Sequence, residues 1–183
     1  MDFVVQPDDM ISAFGLSGVV YFPLYDSPAS SLDRRTAEFL SRIGLPDVEY
    51  FKSKASVGQE ESIRLAEWFS DERGFLPEEC REWLVIAYFA ASLIALDPVS
   101  GKLYAFGEGE PLDAYEPIHR DVESLAYALL LFKRFEDQER GDEELEEHIE
   151  QLRRQIESFD PLPFTDEQSQ WSLVLEEVLD GIW

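Results

Sequence analysis

The residue types that do chemistry are few in this sequence, apart from carboxylates. Cys80 is its one cysteine, and His119 and His148 are its two histidines. A nucleophilic cysteine needs a histidine base within reach, and no local spacing ties Cys80 to either histidine. One thiol cannot build a thiolate metal site or an internal disulfide. The expectation for Cys80 is a small buried thiol, in a chain from a reducing compartment. His119, in Pro117-Ile118-His119-Arg120-Asp121, is expected to join the network at the start of the helix that follows. His148 is expected to flank an apolar helical stripe at the surface. Asp97 follows an apolar run and precedes Pro98, the ordinary chemistry of a turn rather than of a nucleophile. No GxGxxG or GxxxxGK[ST] loop is present to cradle phosphates. No catalytic residue, cofactor site or metal site is assigned.

Carboxylates are everywhere, which devalues any particular pair for acid–base work. The chain of 183 residues has 39 Asp and Glu against 15 Lys and Arg, a formal net charge of −24. Such a field repels nucleic acid and anionic membrane, and it speeds encounter with a basic partner. Direct nucleic-acid binding and membrane binding are therefore not expected. The same charge also serves solubility. The acidic stretch 107–117 carries Glu108, Glu110, Asp113 and Glu116 around Tyr115. An aromatic among carboxylates on a loop suits an interface anchor. It equally suits a tether that packs the loop onto a sheet. A second acidic surface is expected around Asp137, Glu139, Glu143, Glu144 and Glu147. These ten residues are the candidate partner-binding positions.

The elements that must position them can be read from periodicity and turn chemistry. Residues 14–22 read as a first strand segment. A helix capped by Ser30 or Ser31 follows, with Ala37, Leu40 and Ile43 inward and Gly44-Leu45-Pro46 ending it. Residues 48–51 read as a short strand, 63–69 as a helical turn or strand, and 75–80 as a loop around Pro77. The apolar run 83–96 could be one helix or two strands. Its continuation through Asp97-Pro98-Val99-Ser100-Gly101-Lys102 into Leu103-Tyr104-Ala105-Phe106 is hairpin chemistry, which favours strands. The reading is a three-stranded meander around residues 83–106. Three helices fill the C-terminal half. The first, capped by Asp121, is apolar nearly all round and so buried. The second starts at Asp142 and carries the stripe Leu145, Ile149, Leu152, Ile156 and Phe159. The third is assigned a capping box at Thr165-Asp166-Glu167-Gln168 and an apolar face of Trp171, Val174, Leu175, Val178, Leu179 and Ile182. The fold class is α+β: a central, largely antiparallel sheet packed with helices, in one domain spanning 1–183. Residues 1–13 contain Asp2, Asp8 and Asp9 and no basic segment, so no signal peptide is expected. The apolar run 83–96 is too short to span a bilayer. A cytoplasmic protein is expected.

Four pieces in this order resemble the SUKH superfamily of bacterial immunity proteins, and its fourth group in particular. They are the helix through Thr36-Ala37-Glu38-Phe39-Leu40 to Gly44-Leu45-Pro46, the strand Trp83-Leu84-Val85-Ile86-Ala87-Tyr88, the hairpin Ile94 to Tyr104 with its Asp-Pro-x-x-Gly turn, and the helix Asp121 to Leu131. The acidic helix, Asp160-Pro161 and the Trp171 segment also fit. Where the family often has Gly ahead of the hairpin, this chain has Ala87 and Phe89-Ala90-Ala91. Where the family often has Asn-Ser before the long helix, this chain has His119-Arg120-Asp121. The resemblance implies an immunity role against a cognate toxin domain, and many toxins met by this superfamily act on nucleic acid and are basic. The expected function is a non-enzymatic antitoxin that binds such a basic, nuclease-type domain and occludes its active site with acidic side chains. The alternatives are a regulatory or scaffold binding module of the same fold and, third, a carboxylate-dependent hydrolase.

Overall fold

A computed structural model of the chain describes residues 2–23, 32–53, 64–70, 75–138 and 145–182. Its centre is a five-stranded antiparallel sheet in the order β3-β4-β5-β6-β7. These strands are β3 (Phe51–Ser53), β4 (Leu84–Phe89), β5 (Ser92–Leu96), β6 (Leu103–Gly107) and β7 (Glu116–His119). The meander read from the sequence is thus present as β4, β5 and β6. Asp97 closes its second turn: Oδ1 accepts from the Val99 amide at 2.9 Å, Oδ2 from the Ser100 hydroxyl at 2.5 Å, and Gly101 takes φ +76°. Asp97 is therefore a turn residue.

Alternation along the strands divides the core in two. Leu84, Ile86, Phe89, Ile94, Leu96, Leu103 and Ala105 enter the larger cluster, and Val85, Leu93, Ala95 and Phe106 the smaller. A bulge at Val85/Ala87 breaks the alternation, so Ile86 and Ala87 both serve the larger cluster. The larger cluster is covered by α1 (Pro7–Phe14), α2 (Arg34–Arg42), α4 (Val122–Glu136), α5 (Leu145–Phe159) and α6 (Gln170–Leu179). The smaller lies under α3 (Leu65–Trp68) and the turn Glu78–Cys80. A two-stranded ribbon pairs β1 (Val19–Val20) with β2 (Leu45–Pro46). No helix among the described residues is long and apolar enough to cross a membrane.

Several boundaries differ from the sequence reading, each for a local reason. The segment 14–22 is not mainly strand. Pro7 at the first helical turn and Asp8 and Asp9 beside it favour a helix that runs to Phe14, which leaves only Val19–Val20 extended. The α2 cap is Asp33, whose carboxylate accepts from the Arg35 and Thr36 amides; Ser30 and Ser31 lie outside the described residues. The third strand begins at Phe51 rather than at residue 48, because Phe51 pairs with Phe89 at the start of its register with β4. The run 63–69 resolves to the helical turn α3, its residue 63 lying outside the described residues. Thr165 does not cap α6. Its hydroxyl and amide both return to the Leu162 carbonyl of a tight turn, and Ser169 caps the helix instead through the Ser172 amide. The stretch 107–117 is not loop throughout, since Glu116 and Pro117 open the edge strand β7. An edge is where a strand tolerates proline.

The helix α4 is buried nearly all round, as its composition requires. Asp121 caps it through the Ser124 amide at 2.8 Å. Beside that cap lies a buried polar chain. The indole N–H of Trp171 donates to His119 Nε2 at 2.8 Å. Because indole nitrogen only donates, Nε2 is the acceptor and Nδ1 carries the hydrogen. Nδ1 donates to Ser124 Oγ at 2.7 Å, and the Ser124 hydroxyl donates to Asp160 Oδ2 at 2.5 Å. Asp160 lies 3.6 Å from Nδ1, so it acts on the ring by charge while the hydroxyl takes the hydrogen bond. This chain ties β7, α4, α6 and the connection after α5 together, with every member satisfied.

Candidate partner-binding surface

The β4–β5 turn is Ala90-Ala91, and Ala90 stands at φ +48°, the one non-glycine residue among those described in the left-handed region. A two-residue hairpin demands such a conformation, and glycine or asparagine usually supplies it. The β6–β7 loop comes up beside this turn: the Glu108 amide donates to the Ala91 carbonyl at 2.9 Å, and Gly109 takes φ +81°. The turn and the loop form one end of the sheet, with a hollow on each side.

On the α6 side, a groove of about 450 Å³ runs between the loop and α6. Ala91, Ala105, Gly107 and Ala114 line it with small surfaces, and Glu108, Glu110, Glu116 and Glu177 line it with carboxylates. The opposite side is aromatic. Trp68, Phe69, Tyr88 and Phe106 line that hollow with Glu108 and Glu110. A third hollow at the same turn holds Ala90, Glu49, Tyr50 and Glu136. Tyr50 donates to Glu136 at 3.2 Å, and its carbonyl accepts from the Ala90 amide. No Lys or Arg lines any of these three hollows among the described residues.

Tyr115 is a tether in this geometry. Its ring meets Trp83 at 5.2 Å, Phe106 at 5.4 Å and Tyr104 at 5.6 Å, and its hydroxyl donates to Glu79. Burial, then the neighbouring thiol of Cys80 and the charge of Glu79, push its phenol well above the usual range. The loop is thereby pinned to the small core while Glu108, Glu110, Asp113 and Glu116 stay exposed. Cys80 is buried, and burial pushes its thiol up to about 11, so it is protonated and unreactive at neutral pH. His148 stands half-buried on α5, in the crevice that α5 forms with α4.

The second acidic set divides. Asp137 ends α4 next to Glu136, but its carboxylate is already paired with Lys133 at 2.6 Å. Glu147 is exposed in the first turn of α5 and lines none of the three hollows. Glu139, Glu143, Glu144 and the start at Asp142 lie outside the described residues. Glu177 and Glu49 are absent from the sequence reading, which places a turn near residues 89–92 without assigning it to the site. A usable signal existed for Glu177: with Leu173 it forms an i,i+4 pair off the apolar stripe of α6.

Among the described residues no three of His, Cys, Asp and Glu gather as a metal would need. The family model for SUKH-4 immunity proteins matches residues 5–177, nearly the whole chain. The chain belongs to the SUKH-4 immunity protein family. Neither the curated proteins nor the solved structures gave a match. In this SUKH-4 protein the acidic end of the sheet is formed by the Ala90-Ala91 turn after β4 and the loop after β6 that is hydrogen-bonded to it.

Proposed function

We propose that this SUKH-4 protein is a non-enzymatic immunity protein, acting as one domain, that binds a basic and nuclease-type toxin domain and blocks its active site. The observation that carries the proposal is the sheet end around Ala90-Ala91, where Glu108, Glu110 and Glu116 are exposed with no basic side chain among the described residues lining the hollows beside them. Family membership supplies the immunity role. The net charge of −24 supplies the attraction to a basic partner and the repulsion of nucleic acid. The carboxylates stand where phosphates would meet the toxin's Lys and Arg. Acid–base hydrolysis needs two carboxyls in contrasting environments, and these are all exposed alike, which favours binding over a hydrolase.

A growth-rescue assay tests this. The protein encoded beside this chain is expressed with and without it, and survivors are counted. Wild type restores growth, and a folded variant with Glu108, Glu110, Asp113 and Glu116 changed to Lys does not. Reversing these charges also slows association at least about tenfold at low salt. Rescue by the variant would place the interface elsewhere. No toxicity, or no rescue by wild type, would favour the regulatory binding module.

A further inference from the structure

The groove on the α6 side has a shape that charge alone does not require. Its walls come from distant parts of the sequence. One wall is the end of β6 with the loop after it, and the other is the outer face of α6 with Gln168 and Gln170 before and at its start. Both walls are fixed from behind. The Ser92 hydroxyl donates to Gln170 at 2.6 Å, Trp171 is clamped against Phe89 and His119, and Glu108 is tied to Ala91. The lining between them is small and largely apolar, with Ala91, Ala105, Gly107, Ala114 and Val174 beside Ser92, and Leu173, 37% exposed, adds apolar surface on the helical wall. Glu108, Glu110 and Glu116 on one wall face a lining that includes Glu177 on the other, and none of the four forms an ion pair among the described residues.

We infer that this groove is the docking site for an extended basic segment of a partner polypeptide, with a Lys or Arg side chain laid along this lining between the loop carboxylates and Glu177. The identity of that partner as a toxin rests on the immunity reading above; the groove's chemistry does not. Long basic side chains bury their methylene stems on apolar surface while the charged head seeks carboxylates. A largely apolar lining between two acidic walls meets both needs. The volume of about 450 Å³ falls in the ordinary range for a site that encloses a ligand group. The fixed walls mean that little ordering is required on binding.

The test is an NMR titration of the isotope-labelled full chain with a hexa-arginine peptide. Amide shifts are expected to concentrate at Ala91, Gly107, Ala114, Leu173 and Glu177. Glu116→Lys with Glu177→Lys should weaken binding about tenfold. Asp8→Lys with Glu146→Lys, an equal charge change at exposed positions outside the groove, should weaken it by no more than about twofold, through long-range charge alone. Ala114→Trp plugs the groove without altering charge, at an exposed position, and should also cost about tenfold. Equal loss from both charge pairs, shifts spread over the whole acidic surface, unchanged binding by Ala114→Trp, or spermine binding as tightly as the peptide would each overturn the groove as a polypeptide site. Growth rescue separates the two readings. Rescue that persists with Ala114→Trp removes the groove and leaves immunity standing. Groove binding of the peptide without any rescue by wild type does the reverse.

Discussion

His119 shows what a buried polar residue is for in this chain. Burial lowers its pKa from 6.5, with the charge of Asp160 opposing, so the ring is neutral near pH 7. Burial raises Asp160, but the His119 ring beside it and hydrogen bonds from the Ser124 hydroxyl and the Arg120 and Leu162 amides outweigh it, and the carboxyl sits well below its usual range. Both groups act in the same direction on stability. A histidine depressed in the folded state lets the unfolded chain take up protons first, so stability is complete above 6.5 and declines as pH falls below it. Asp160 adds a further loss below 3.8. The urea midpoint should therefore drop between about pH 7.5 and about pH 5, and His119→Gln should flatten that drop. A variant with the wild-type slope would assign the acid sensitivity to other groups. The role of His119 beside the α4 cap was legible from its neighbours in sequence. Its partner Trp171 was not, because an apolar stripe predicts burial but not which polar atom the indole nitrogen will meet.

At the scale of elements, turns and caps were the most legible features where one residue decides them. Gly44 follows α2 at φ +76°, and a Cβ there would stand 2.4 Å from the Val20 carbonyl oxygen. The glycine is needed both for its conformation and for the close approach of β1 and β2. Gly44→Ala should cost at least about 1–3 kcal/mol in chemical denaturation, the strain of the conformation alone, with the clash added to it. A loss under about 0.5 kcal/mol would mean that the ribbon moves aside freely. The meander and the buried α4 were legible for a similar reason: hairpin chemistry at residues 97–102 and an all-round apolar helix leave few alternatives. The strand β7 was hidden because Glu116 and Pro117 are poor strand formers, and only pairing to β6 makes them one. The cap of α6 was misplaced because Thr165 has a capping sequence, yet the tight turn Leu162–Phe164 takes its hydroxyl. Local pattern lost to a neighbouring element in both cases.

For the whole molecule, the sign of the surface was plain in the composition, but its layout was not. The acidic loop was identified, whereas Glu177 and Glu49 reach the same end of the sheet only through the fold. A net charge of −24 also means self-repulsion in the compact state. Raising sodium chloride from about 10 mM to about 0.5 M shortens the screening length severalfold, so the melting temperature should rise across that range. A fall would show that attractive pairs such as Arg35 with the buried Glu123 outweigh the repulsion.

The Ala90-Ala91 turn has one more consequence. Ala90 borders all three hollows at the sheet end, and Ala91 borders two of them. Both are exposed, and neither belongs to the core. A single codon change at this tip would therefore reshape several neighbouring depressions at once and leave the interior untouched. Ala90 in particular could become asparagine or glycine with relief of its backbone. Under the function proposed above, such a tip is a tuning point: a substitution there would change what the sheet end fits without disturbing the scaffold beneath.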